Sequence, residues 1–383
     1  MNILQTSDWH IGKRLMDRDR LPEQIEALHE LSRIAKEKDV SVVLVAGDVF
    51  DTYLPPAEAE EVFFHAVKEL AGEDRAVVVI PGNHDDGVRL AAAAPIAEQH
   101  GVYLFGSRGG HFTLGGDRPV RAVMAGENFL ILEDKNGERL YINALPYPNE
   151  ARLKEEKTEE SYSEKVSRWI AAGEEGFRGG MPHILLSHLF AAGGKMSESE
   201  RDIDLGGARA VPLSVFEKFD HVALGHLHKP QKMKNVYYSG SLLQYSFDEA
   251  GAQKSVLLLE TKGEHIEVKE TIPLMSGKQL VRLECTGADR AVELLRKYED
   301  AFIELTLHLT APLSSEETRS LRAANEGLVS LITRVEGAVL APFQSRSKLT
   351  SSELFTQYYK SIYDLEPDEA LLTSFLELLK EDA

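Results

Sequence analysis

One cysteine, Cys285, is all that the 383-residue chain contains. Intrachain disulfides are thereby excluded, and the chain suits a reducing compartment, read here as the cytoplasm. No stretch approaches the roughly 18 consecutive apolar residues of a membrane span, so no membrane association is expected. The opening MNILQTSDWHIGK lacks the charged start, apolar stretch and cleavage site of a signal peptide, and reads as a strand running into a polar motif. Internal repeats and low-complexity segments are also missing, which excludes a repeat architecture. Positive charge is scarce: 43 Lys and Arg stand against 62 Asp and Glu, for a net charge of −19. Such a chain repels a polyanion at long range, so any nucleic-acid surface must be a local basic patch or must draw on metal ions or a partner.

What is present is enough apolar material, 43% of residues, for a real core, and enough length for two or three domains. Residues 1–275 alternate short β-rich runs with helical stretches, the pattern of a layered α/β domain. Strands are predicted over Met1–Thr6, Val40–Ala46, Ala76–Ile80, Ile184–Ser187, His221–Leu224 and Val236–Tyr238. Nearly all run into loops rich in Asp, Asn, His or Gly, where ligand-binding groups of α/β sheets gather. Glu150–Arg178 reads as a charged helical connection with Val166, Trp169 and Ile170 on its apolar side, either a linker between two halves of one site or a surface helix.

A second pattern occupies residues 276–340: a strand over Leu280–Cys285, a helix over Asp289–Tyr298, a strand over Ala301–Thr310, a helix over Ser315–Leu331 capped by Ser314 or Ser315, and a closing strand over Thr333–Leu340. This small β-α-β-α-β domain carries no metal-ligand cluster and should bind or shape rather than catalyse. Residues 341–383 form a tail. Leu354, Phe355, Tyr358, Tyr359 and Ile362 recur at helical spacing, and Pro367 opens a second helix with Leu371, Leu372, Phe375, Leu376 and Leu379. Short amphipathic helices with so little core of their own suit docking on a partner helix.

Five motifs occur in order: Asp8-Trp-His10, Gly47-Asp48-Val-Phe-Asp51, Gly82-Asn83-His84-Asp85, Ser187-His188 and Gly225-His226-Leu-His228. Singly each is weak; together, each at the end of a predicted β-run, they could converge on one sheet edge. In an extended strand end, residues two apart face the same side, so Asp8 with His10, and His226 with His228, could each serve a common ion. The candidate metal ligands are Asp8, His10, Asp48, Asn83, His188, His226 and His228. That is too many for one tetrahedral ion and about right for two sharing a bridging carboxylate. Imidazole and oxygen donors without thiolate favour manganese, iron or zinc over calcium. Two divalent ions less the charges of Asp8 and Asp48 leave roughly two positive charges, suited to a phosphodiester. His84 is the candidate general acid for the leaving oxygen, and the Asp51 carboxylate could orient it or simply cap a turn.

These motifs, with the fuller strings TSDWHIGK, AGDVFDTYLPP, IPGNHDD and LGHLHKPQ and the Tyr238-Ser239-Gly240-Ser241 stretch, make the chain resemble the calcineurin-like metallophosphoesterase superfamily. Within it, the chain is similar to the SbcD-type exonuclease subunits, bacterial counterparts of the meiotic-recombination nuclease. The resemblance implies an α/β fold, a layered β-sandwich flanked by helices, with a small α+β cap and C-terminal partner-binding helices. It implies that Asp8, His10, Asp48 and His228 hold one manganese and Asp48, Asn83, His188 and His226 a second, magnesium or another divalent ion being possible. It further implies a homodimer joined to an SbcC-type coiled-coil ATPase in a heterotetramer, acting on DNA ends, hairpins and single strands as a 3′ to 5′ exonuclease and endonuclease, in a nucleoid-associated cytoplasmic setting. One departure is Asp86-Gly87-Val88, where a Ser-Pro-type sequence is usual.

Arg14 and Arg89, with Lys13 and less strongly Arg18 and Arg20, are candidate phosphate contacts beside the metals, although Asp17 and Asp19 also suit an ordinary solvated loop. Three other functions stay open: a phosphatase or phosphodiesterase on the same fold, a non-catalytic DNA-end scaffold, and a plain binding module for an ATPase.

Overall fold

VVLVA and AVVVI are apolar at every position, so as strands they must be covered on both faces. In the computed structural model they are. It describes residues 1–107, 109–153, 159–197, 200 and 209–335, and beyond these Phe355, Thr356, Tyr359, Pro367, Leu371 and Leu372. One compact unit comprises Met1–Leu307 with Leu313–Thr333, and a second takes His308–Pro312 and the chain from Arg334 onward.

The strands are β1 (Asn2–Thr6), β2 (Val42–Ala46), β3 (Ala76–Ile80), β4 (Val102–Leu104), β5 (Arg121–Gly126), β6 (Phe129–Glu133), β7 (Arg139–Leu145), β8 (His183–His188), β9 (His221–Gly225), β10 (Gln231–Met233), β11 (Val236–Tyr238), β12 (Ser255–Lys262), β13 (His265–Pro273), β14 (Gln279–Thr286), β15 (Ala301–Leu309) and β16 (Leu328–Val335). They form a six-stranded sheet in the order β13-β12-β1-β2-β3-β4, a seven-stranded sheet in the order β10-β11-β9-β8-β7-β6-β5, and a three-stranded sheet β14-β15-β16. β1 to β4 run parallel in the first sheet, as do β7, β8, β9 and β11 in the second.

The two large sheets sandwich one core. Val42, Leu44, Val78 and Ile80 meet Leu130, Leu140, Ile142 and Leu186 there. The alternate residues Val43, Val45, Val77 and Val79 face the other way, onto α1 (Leu21–Glu37) and α2 (Ala57–Ala71). On the far side, Leu185, Val222 and Leu224 take Val166, Trp169 and Ile170. Those three belong to the amphipathic helix Tyr162–Ala172, begun by a Ser161–Glu164 capping box. The helix Tyr162–Ala172 of the expected connection therefore contributes a layer of the sandwich. No helix among the described residues is long and apolar enough to cross a membrane.

The smaller sheet corrects one boundary. The helix expected over Ser315–Leu331 ends at Ala324, and the closing strand begins at Leu328. Asn325 makes the break: its side chain donates to the carbonyls of Leu295 and Tyr298 and accepts from the Gly327 N–H at 2.7 Å. Ser314, not Ser315, is the N-cap. The tail helices fall, apart from the six residues named above, outside the described residues, as does 336–340 of the expected final strand.

Candidate metal centre

All five motifs meet, but across two sheets rather than along one edge. The loops after β1, β2 and β3 bring Asp8, His10, Asp48, Asn83 and His84. The end of β8 and the loop after β9 bring His188, His226 and His228. Backbone pairing continues past the strands: Asp8 N–H donates to Gly47 O at 3.0 Å and His10 N–H to Asp48 O at 2.9 Å. The glycines beside the ligands let these loops touch. A Cβ on Gly82 would lie 2.1 Å from Asp48 Oδ1, and one on Gly225 would lie 1.9 Å from the Ala46 carbonyl. No side chain fits at either position.

The pairing of Asp8 with His10 does not come from an extended strand end. Asp8, His10, Asp48 and His226 all adopt positive φ, at 51°, 45°, 47° and 103°. Such backbone costs on the order of 1–3 kcal/mol per residue and persists where surrounding structure enforces it. The first loop shows how. Gln24 donates to His10 O at 2.8 Å and accepts from Gly12 N–H at 2.9 Å, while the Tyr245 hydroxyl donates to Trp9 O. Asp85 performs the same service between the second and third motifs. Its buried carboxylate accepts from the N–H groups of Val49, Phe50 and Gly82 at 3.1, 2.9 and 2.7 Å. Burial and the neighbouring Asp48 push its pKa up to about 6.

Three groups of side chains could each hold a cation: Asp8, His10 and His228; His10, Asp48 and His84; and Asp8, Asp48 and His188. His188 Nε2 lies 3.4 Å from Asp48 Oδ2 and 2.9 Å from Asn83 Oδ1, and His226 Nδ1 lies 3.1 Å from the same Asn83 oxygen. Six of the seven candidate ligands are buried, and Asn83 is half-buried. A backbone carbonyl behind one ligand orients its ring: His188 Nδ1 donates to Ala46 O at 2.9 Å, so its Nε2 points inward unprotonated when neutral.

The set fits a divalent cation on this geometry. Asp8 Oδ2 and His226 Nε2 are buried without a hydrogen-bond partner, an arrangement that costs free energy unless something else satisfies them. Burial pushes His10 and His226 down to about 3, keeping them neutral donors. His188 moves oppositely: burial opposes its charge, but Asp48 and Asp8 outweigh that and push it up to about 9. Asp48 is held well below the usual carboxylate range, burial being outweighed by His188 and His10.

Asp51 departs from expectation. His84 Nδ1 bonds the Asp51 backbone carbonyl at 2.8 Å, not its carboxylate. The carboxylate lies 3.3 Å from His10 Nδ1 and accepts from Lys13 Nζ at 2.7 Å. His84 is half-exposed, its ring centroid 4.9 Å from that of His10, so it sits at the mouth of the cluster.

The basic candidates are internally engaged. Lys13 pairs with Asp51, Arg14 donates to Asp17 O, and Arg18 donates to Glu326 O at 2.9 Å. Arg89 grips Glu60 through two bonds, at 2.6 and 3.2 Å. Arg20 is fully buried, bonded to Glu23 and to Gln244 O and stacked 5.0 Å over Phe302, so it is a structural cation. Asp86, at the sequence departure, caps a short helix by accepting from Val88 and Arg89 N–H groups. Sequence reasoning missed Gln24, Tyr245, Glu200, Glu249 and Lys254, which carry no motif signature and act only through folded contacts.

The family model described as calcineurin-like phosphoesterase matches residues 1–230, from the first strand through His228. A protein of Bacillus subtilis (strain 168) described as the SbcD subunit of the nuclease SbcCD is 36% identical over 398 aligned residues, covering 99% of this chain and 97% of that protein. A protein of Rhodobacter capsulatus with the same description is 33% identical over 396, covering 93% of each.

Proposed function

The chain belongs to the calcineurin-like phosphoesterase family and to its SbcD branch, and from that premise we propose that it is a metal-dependent nuclease subunit cleaving DNA phosphodiester bonds. The observation that carries the reading is the inward-facing cluster of Asp8, His10, Asp48, Asn83, His188, His226 and His228, whose donors outnumber what one ion can use. We assign Asp8, His10, Asp48 and His228 to one manganese and Asp48, Asn83, His188 and His226 to the other.

Two divalent ions bound there supply polarisation of the phosphoryl oxygen, activation of a water and stabilisation of the leaving oxygen. The protein supplies the rest. Hydrogen bonds behind the ligands fix ring tautomers, and the enclosed site strengthens every charge interaction. His84, with Nδ1 committed to the Asp51 carbonyl, presents Nε2 to donate the proton that the leaving alkoxide requires. The Asp51 carboxylate faces Lys13 and His10 instead.

Residues 1–275 act as the nuclease domain, 276–340 as a cap, and 341–383 as the segment docking on an SbcC-type ATPase. Phe355 and Tyr359, with ring centroids 6.0 Å apart, present the paired aromatics such docking uses. Exposed Tyr53, Leu54, Phe64 and Val88, three of them more than half exposed, support a homodimer within a heterotetramer. Exonuclease action from 3′ to 5′, endonuclease action on hairpins and single strands, a role in repair and recombination, and a cytoplasmic, nucleoid-associated location complete the reading. Because Lys13, Arg14 and Arg89 are all engaged, DNA affinity comes mainly from the ions and the partner.

The test is cleavage of linear duplex and single-stranded DNA with manganese, beside His84→Ala and the small diester bis-p-nitrophenyl phosphate. DNA cleavage lost in His84→Ala supports the reading. Hydrolysis of the small ester but of no DNA, with the ATPase partner present, replaces it with a general phosphodiesterase.

A further inference from the structure

Behind the cluster lies a group of buried charges that the cleavage step does not use: Glu200, Glu249 and Lys254, all at most 5% exposed. We propose that Glu249, braced by Lys254, is a positioning residue that holds the His228 imidazole for a divalent cation. The inference rests on reading the cluster as a metal centre.

His228 is gripped at both ends. Its ring Nδ1 lies 3.6 Å from Glu249 Oε1 and 3.9 Å from Glu200 Oε1, while Nε2 faces His10. Its backbone N–H donates to Glu200, and its carbonyl accepts from Ser241 N–H at 3.1 Å and from Lys254 Nζ at 2.7 Å. Lys254 also donates to Ser241 Oγ at 2.8 Å and to the Glu249 carboxylate. Ser246 Oγ donates to Glu249 Oε1 at 2.9 Å. Glu249 and Lys254 thus converge on one residue, one at its ring and the other at its backbone.

A buried ion pair is weak support for stability, because desolvation offsets its attraction and apolar residues of similar volume serve as well. Its presence here needs another reason, and the contact with His228 supplies one. A carboxylate accepting the Nδ1 proton fixes the tautomer, leaves the Nε2 lone pair for the ion and makes the imidazole more basic. Removing such a partner weakens metal binding about 10–100-fold.

The test compares two double variants of the full chain, Glu249→Leu/Lys254→Met and Glu249→Gln/Lys254→Met. Both lack the charges of Glu249 and Lys254, both keep Glu200 at 3.9 Å, and they differ in whether the acceptor nearest Nδ1 remains. Each is titrated with Mn2+ by calorimetry, with thermal unfolding of the metal-free protein as the check on folding. The expected result is two ions in the native chain, near-native affinities in the glutamine variant, and about 10–100-fold weaker binding of one ion in the leucine variant. Equal binding by both variants overturns the proposal, and equal weakening in both moves the role to Lys254 and overturns it too. A native chain that binds no Mn2+ overturns the metal-centre reading itself. Should the leucine variant not fold, the nitrogen-15 histidine spectrum of the native Zn2+-loaded chain decides. His228 bound through Nε2 with a proton on Nδ1 supports the assignment, and binding through Nδ1 overturns it.

Discussion

His10 and His228, 218 residues apart in sequence, face each other through their Nε2 atoms at 3.0 Å. Each ring has a carboxylate on its other side, Asp51 at 3.3 Å for His10 and Glu249 at 3.6 Å for His228. With both rings neutral and their protons on the carboxylate side, the two Nε2 lone pairs aim at one point, which a cation relieves. Chelation should therefore destabilise the fold. Manganese at 100-fold over its dissociation constant adds about 2.7 kcal/mol per site relative to chelated protein. Thermal unfolding with Mn2+ and with EDTA reads the difference, and His228→Ala should shrink it.

Asp51 and His84 should separate in their effects. Asp51→Ala removes the carboxylate beside His10 but leaves the backbone carbonyl that holds His84, so it should weaken Mn2+ binding about 10–100-fold. His84→Ala should keep both ions and lower DNA cleavage about 10²–10⁴-fold, the range for a lost general acid. Calorimetry and cleavage rates on the same preparations test the split, and equal loss of metal in both variants contradicts it.

Asp85→Ala should cost stability far beyond a surface change. It strands three buried backbone N–H groups, of Val49, Phe50 and Gly82, each carrying a penalty of roughly 1–3 kcal/mol. A loss of about 3 kcal/mol or more in urea unfolding is expected, with Asp85→Asn intermediate because one acceptor oxygen remains.

Acid sensitivity should be traceable to a histidine outside the site. His221 is buried against Tyr237 and bonded to Gln5 Oε1 at 2.7 Å, and burial pushes its pKa down to about 3. The unfolded chain takes up this proton near pH 6.5 and the folded chain does not until about pH 3. Stability from this group is therefore full above pH 6.5 and falls as pH drops toward 3. Between about pH 7.5 and about pH 5 the loss is on the order of 2 kcal/mol. His221→Gln should lose correspondingly less over that interval, and an unchanged pH slope contradicts the assignment.

The chemistry was more legible in the sequence than its architecture. All six strands expected in the first 275 residues form, with small shifts at their ends, because each is a strongly apolar run stopped by a polar motif. The expected strands did not include β4 to β7, β10, β12 and β13, none of which carries a candidate ligand. Strand-end geometry placed Asp8 beside His10 for the wrong reason, since they come together through positive φ enforced by Gln24 and Tyr245 from distant segments. Residues 328–331 could not be told from a helix by apolar spacing alone, and the Asn325 side chain decided the matter. Arg89 read as an available cation because Glu60, its partner in the fold, is remote in sequence, and Arg20 because the burial under Phe302 and the bond to Gln244 O that hold it come from distant segments.

The two-ion centre is tested most directly by anomalous diffraction at the manganese edge from crystals grown with Mn2+. Two peaks about 3.5–4 Å apart are expected, with Asp48 bridging, His10 and His228 on one, and Asn83, His188 and His226 on the other. A single peak, or ions bound away from these residues, would contradict the account.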